Sequence, residues 1–164
     1  MSFRVEEDGV FAGAVRLLNA LLNPGCVSDT HVAADADITA TKLEHQHRAV
    51  YEQESDTTSA AETRVVHVVH GATGTLKAFK AGSITVCTSD ATITVDLLKN
   101  GVSVLSAAIV LDSGNSVRVV EAGTISGPSV VAGDVLEVDV AVSAGGGTIG
   151  KGAFAFLDLH EDAA

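Results

Sequence analysis

The sequence predicts an all-β protein: an antiparallel two-sheet sandwich, jelly-roll-like, of about eight strands, preceded by an extended N-terminal arm with one short helix. Three observations carry this. Apolar runs in the last hundred residues alternate with polar residues at period two and are closed by Gly, Asn, Asp and Ser at roughly 8–12-residue spacing. Val and Ala number 24 each, with 14 Thr and 13 Ser, while aromatics make up 4% and Trp is absent, a composition suited to strands with a small-side-chain core. Finally, Asn100-Gly101 stands between two apolar runs and supplies the two positive φ values that a tight hairpin requires.

The 164 residues suffice for one domain and an appendage. The chain changes character near Thr63. Before it stand 11 acids, 4 bases and three glycines; from it onward stand 10 acids, 6 bases and 13 glycines. The arm is therefore placed at 1–62 and the sandwich at 63–164. In the arm, Phe11, Val15, Leu18 and Leu22 recur at helical spacing over 9–22, with Asp8 as cap and Asn23-Pro24-Gly25 as stop. Fourteen residues make a marginal helix alone, so this face must dock, either on its own sandwich or on a partner. Residues 26–62 are polar with isolated apolar positions, among them Ile38, Leu43 and Tyr51. They read as an extended arm, with a helical turn as a local option around 40–48.

The strands follow in order: 64–70, 75–80, 83–88, 91–98, 102–111, 116–122, 134–142 and 152–159. In the fourth, Ile93, Val95 and Leu97 face in; in the seventh, Leu136, Val138, Val140 and Val142 face in, while Glu137 and Asp139 face out. The first and last are apolar on both faces, at Val65, Val66, Val68 and Val69 and at Phe154, Phe156 and their neighbours. A sandwich strand needs one buried face, so the surplus calls for cover by the arm or by another subunit.

A formal charge of −11 disfavours direct binding to nucleic acid or anionic lipid. The acidic N-terminus predicts no secretory signal, Asn23-Pro24-Gly25-Cys26 matches a lipoprotein box poorly, and no apolar run reaches membrane-spanning length. Cys26 and Cys87 read as two reduced thiols, consistent with synthesis in a cytosol.

Two motifs approach known chemistry. His45-Gln46-His47 with Glu52 resembles the metal-binding motif of cupins, in which two imidazoles and a carboxylate converge on a transition metal. Here the flanking glycines are missing, with Thr39 and Ser59 in their places, and no second-motif His falls near 128–139. Solvated or interface-bound histidines are the competing reading, with His31, His67, His70 and His160 as further candidates. The run from Gly145 to Gly152 approaches a phosphate-binding loop, but Gly152 replaces the Ser or Thr that holds magnesium, and a strand pattern follows where a helix is required. No Gly-x-Ser-x-Gly elbow occurs. The expectation is a protein without catalytic residues, metal or cofactor.

The segments Asp37-Ile38-Thr39-Ala40-Thr41-Lys42-Leu43-Glu44-His45, Tyr51-Glu52-Gln53, Val66-His67-Val68-Val69-His70-Gly71-Ala72-Thr73-Gly74 and Val95-Asp96-Leu97-Leu98-Lys99-Asn100-Gly101, with Gly133-Asp134-Val135-Leu136, together resemble head decoration (cement) proteins of tailed bacteriophages. The resemblance implies an arm and a β-sandwich knob, clustered as a homotrimer on the outer capsid surface of the virion. It also implies the major capsid protein as partner, with no nucleic acid or membrane contact. The partner-contact residues expected are Phe11, Val15, Leu18, Leu22, Ile38, Leu43 and Tyr51. A fibre or receptor-binding knob is a second structural reading, and a cupin-like enzyme using His45, His47 and Glu52 a third.

Overall fold

A computed structural model of the chain describes residues 44–162. Ten strands run through them: β1 (Glu44–Glu52), β2 (Glu62–Val68), β3 (Thr73–Thr85), β4 (Thr92–Lys99), β5 (Val102–Ser103), β6 (Ile109–Leu111), β7 (Glu121–Gly123), β8 (Ser129–Val131), β9 (Val135–Ser143) and β10 (Lys151–Asp162). They form two five-stranded antiparallel sheets. The first has the order β1-β10-β3-β7, with β8 also on β3; the second has the order β2-β9-β4-β5, with β6 also on β4. The predicted all-β, two-sheet antiparallel class is what the chain adopts. The predicted helix at 9–22 lies outside the described residues.

Period-two patterning builds the core. In β4, Ile93, Val95 and Leu97 are fully buried, and β9 opposite supplies Leu136, Val138 and Val140 at 0–2% exposure. Phe79 and Ala81 of β3 and Ala153, Ala155, Leu157 and Leu159 of β10 complete the same cluster from the other sheet. Glu137 and Asp139 alternate outward as the pattern requires, while Val142 is only half-buried against the core's margin.

Five elements differ from expectation, one of them β8, which lies where no strand is expected. Residues 44–52, assigned to the arm with a helical option, form edge strand β1, paired to β10 from Glu44↔Asp162 to Glu52↔Phe154. The sheets thus begin before Thr63. Only Ala49 and Tyr51 of β1 are buried apolar residues, and histidines take its other inward positions, so its alternation is faint in hydropathy. The strands expected at 75–80 and 83–88 join as one strand, β3, which ends at Thr85, so 86–88 lie beyond it. Gly82 does not break it, because the Phe154 ring across the ladder occupies the space a Cβ would need, at 2.8 Å. The return strand expected at 102–111 is divided, since the chain leaves β4 after Ser103 and bridges Leu105 to Ile125 before β6 rejoins it. Of the strand expected at 116–122, only Glu121–Gly123 pairs with β3.

The Asn-Gly turn forms as predicted, with φ of 52° at Asn100 and 78° at Gly101. Asn100 does more than turn the chain. Its side-chain amide donates to Asp134 Oδ1 at 2.7 Å and accepts from the Val135 amide at 2.9 Å, tying the hairpin to the start of β9. The Val131 amide and Asn100 hold the Asp134 carboxyl below its ordinary range, with Lys99 assisting against the opposing effect of burial. Gly101→Val places a β-branched residue at positive φ and is expected to destabilise the domain by about 1–2 kcal/mol. Equilibrium urea unfolding reads this, and an unchanged midpoint contradicts it.

The glycine run before β10 has a packing reason. A Cβ on Gly147 would lie 1.9 Å from the Thr88 carbonyl oxygen, so the β9–β10 loop needs glycine to pass the 88–91 turn. Lys151, the would-be phosphate lysine, opens a strand and not a helix.

Candidate functional site

The two edge strands β1 and β2 face each other along one side of the sandwich, and polar residues close the seam. At one end, Tyr51 is 1% exposed. Its hydroxyl donates to Glu62 Oε2 at 3.2 Å and accepts from Gln53 Nε2 at 2.7 Å, while the Arg64 guanidinium stands 5.2 Å from its ring centroid. Burial first, and then the Glu62 carboxylate, push the phenol up to about 12. The hydrogen bond from Arg64 holds Glu62 below the usual carboxylate range. Tyr51 is therefore a core residue. Its expected role as a partner contact is corrected, because strand parity turns it inward beside Ala49. The other six expected contacts, Phe11, Val15, Leu18, Leu22, Ile38 and Leu43, lie outside the described residues.

At the other end of the seam stands a row of imidazoles. Ring centroids are 6.3 Å apart for His45 and His47, 5.4 Å for His47 and His67, and 6.4 Å for His67 and His70. Behind the row lies Glu161, 2% exposed. Its Oε1 meets His67 Nε2 at 2.5 Å, and its Oε2 accepts from the amides of Gly71 at 2.6 Å and His70 at 3.0 Å. Burial pushes this carboxyl up, but the hydrogen bonds from Gly71, His67 and His70 outweigh it and hold the group below its ordinary value.

A register shift in β2 brings His67 here. Val65 pairs with Glu137 and His67 with Leu136, so Val66 is an extra residue in the ladder. Without that bulge, strict alternation from Glu62 would turn His67 to the outer face. The shift also accounts for the doubly apolar look of this strand: Val65 and Val68 are exposed, Val66 packs against the core, and Val69 is buried.

The cupin-like triad does not assemble. His45 and His47 share one face of β1, whereas Glu52, an odd number of positions away, projects from the other. The motif needs its members on one face, and a five-residue step along a strand separates them. His67, His70 and Glu161 join His45 and His47 instead. His160 follows the opposite parity to Glu161 on β10, and His31 lies outside the described residues. Among the described residues, no three His, Cys, Asp or Glu side chains stand together as ligands for one metal ion. Cys87 is a buried free thiol that accepts the Gly150 amide at 3.3 Å; Cys26 lies outside the described residues.

The outer face of β10 carries the other feature the sequence marked. Phe154 and Phe156 are half-buried there. The Arg48 guanidinium lies 5.7 Å and the Lys80 ammonium 5.9 Å from the Phe156 ring centroid, so cations from both neighbouring strands flank it. Among the described residues no helix is long and apolar enough to cross a membrane. No protein-family model matches the chain, and no curated protein matches it significantly.

Proposed function

We propose that the protein is a structural virion component that binds the outside of an assembled phage capsid and stabilises it by bridging capsid subunits. The observation that carries this reading is the strand pairing. β1 lies with β10, β2 with β9, β3 with β7 and β8, and β4 with β5 and β6, and this doubled ribbon folds over so that β10 meets β3 and β9 meets β4. Such pairing supports a jelly-roll winding, an architecture that viral capsid domains use and that lectins and cupins share. Fold alone leaves function open. The resemblance of residues 27–159 to phage decoration proteins selects among these, and the dispersal of His45, His47 and Glu52 over two faces of β1 weighs against the cupin alternative.

On this reading the segment before Glu44 reaches the major capsid protein through Phe11, Val15, Leu18, Leu22, Ile38 and Leu43. Nine residue pairs between β1 and the interior strand β10 tie that segment to the knob. A ligand that binds the assembled lattice better than free subunits stabilises the lattice by mass action, and a trimer gains further through multivalency. No catalytic step is involved.

Purified protein added to bare capsids is expected to bind stoichiometrically and to raise their disruption temperature. Leu18→Asp is expected to weaken this binding by at least about tenfold, as loss of a central apolar anchor does, while the thermal unfolding of the sandwich stays in place. Failure of the wild-type protein to bind mature shells overturns the proposal, and binding to host glycans instead would transfer it to a receptor-binding knob.

A further inference from the structure

The outer faces of the two sheets carry opposite chemistry. On the first sheet, Val50 (61% exposed), Phe154, Phe156 and Ile84 form an apolar strip over β1, β10 and β3. Arg48 and Lys80 flank Phe156, and Arg118 stands beside the groove between Val50, Ile84 and Phe154. Asp158 is on this face but paired to Arg48 at 2.7 Å, and Glu52 sits at its margin.

The second sheet presents acids. Asp96 of β4 lies directly opposite Asp139 of β9, and Glu137 is two positions along on the same face. Like charges opposite one another destabilise a ladder, and none of the ion pairs found among the described residues includes any of the three. Asp96 accepts from the Ser103 hydroxyl and Asp139 from the Thr63 hydroxyl, whereas among the described residues no donor is found on the Glu137 carboxylate. Val65 and Val110, 52% and 49% exposed, frame the acids with apolar surface.

We propose that these faces are the two halves of one interface between copies of this chain: the apolar, cation-flanked face of the first sheet docks on the acidic face of the second sheet of another copy. Arg48, Lys80 and Arg118 then meet Asp96, Glu137 and Asp139, and the exposed valines of each face cover those of the other. On the second sheet, three long strands (β2, β9 and β4) ~4.8 Å apart and about eight residues long at ~3.3 Å each make a face of roughly 400 Å² before side-chain relief, about half of the ~800 Å² per partner that standard interfaces bury. A contact between two different patches is head-to-tail, so it generates a closed ring or a filament, and not a two-fold dimer. The inference stands independently of capsid binding.

The full-length protein is sedimented at ~50 mM and ~500 mM salt, where screening of surface charge differs several-fold. Species heavier than the 16.6 kDa chain are expected, with association at least about tenfold weaker at high salt. Lys80→Glu spoils one face and Glu137→Lys the other. Each variant alone is expected to lose association by about tenfold or more while thermal unfolding is unchanged. An equimolar mixture is expected to recover it, because the intact first-sheet face of Glu137→Lys meets the intact second-sheet face of Lys80→Glu. Val50→Asp repeats the first-face test should Lys80→Glu fold poorly. A single 16.6 kDa species for the wild type at high concentration overturns the proposal. So does a mixture that fails to recover, or loss of association from only one of the two faces.

Discussion

Replacing Glu161 by Leu is expected to lower the unfolding free energy of the sandwich by about 3–5 kcal/mol, the largest effect of any single polar change in the domain. The carboxylate is 2% exposed and holds three donors at once: His67 Nε2 and the amides of Gly71 and His70. An apolar side chain leaves all three without this acceptor, the Gly71 amide in a buried place and the His67 ring and His70 amide in a part-buried one. Glu161→Gln keeps one carbonyl acceptor and is expected to cost less, about 1–2 kcal/mol. The pH dependence has a definite sign. The folded-state carboxyl titrates below its ordinary value, so its contribution is complete above the unfolded carboxyl value of about 4.3 and is lost as pH falls through the lower folded value. Urea unfolding of wild type and Glu161→Gln across pH 3 to 7 checks both statements, with the difference between them expected to shrink on the acid side of about pH 4.3. A difference that grows on acidification contradicts the assigned hydrogen-bond roles.

Tyr51→Ala is expected to cost about 3–5 kcal/mol, the range for truncating a buried aromatic. The ring fills the core beneath β1 while its hydroxyl links Glu62 and Gln53. Gln53 in turn donates to the Ala60 carbonyl and accepts from the Ala60 amide, so this cluster helps to hold the β1–β2 connection. Tyr51→Phe removes only the hydroxyl and is expected to cost about 1 kcal/mol. Because the phenol is pushed up to about 12, its contribution is complete below the unfolded value of about 10 and is lost as pH rises toward the folded one. Thermal unfolding distinguishes this from a surface role: a partner-contacting tyrosine would leave the melting temperature untouched on truncation and reduce only attachment.

The two residues show why parts of the molecule were legible in the sequence and others were not. Strands β4 and β9 could be read residue by residue, including which side chains face in, since each buries one clean alternating face. The Asn100-Gly101 turn was equally plain, as few dipeptides adopt two successive positive φ values. β1 escaped because its inward positions are His45, His47, Ala49 and Tyr51, a set whose hydropathy does not announce a buried face. Gly82 looks like a strand end in the sequence because the ring that replaces its missing side chain comes from Phe154, 72 positions away.

The site was legible only in fragments. The spacing of His45 and His47 points to a metal motif, and that motif places its carboxylate at Glu52, five positions on. Strand parity sends Glu52 to the opposite face, and the carboxylate that serves the row, Glu161, sits 94 positions from His67. No local pattern encodes that pairing.

By itself the sequence determined the class of the protein: period-two alternation, β-branched composition and turn residues leave an antiparallel two-sheet sandwich as the way to bury its apolar faces. Only the tertiary structure decided which residues meet. The extra residue at Val66 and the pairing of β1 with β10 set the register, and a shift of one residue in a strand exchanges its two faces. That exchange turns His67 toward Glu161, Tyr51 into the core and Glu52 away from the histidines.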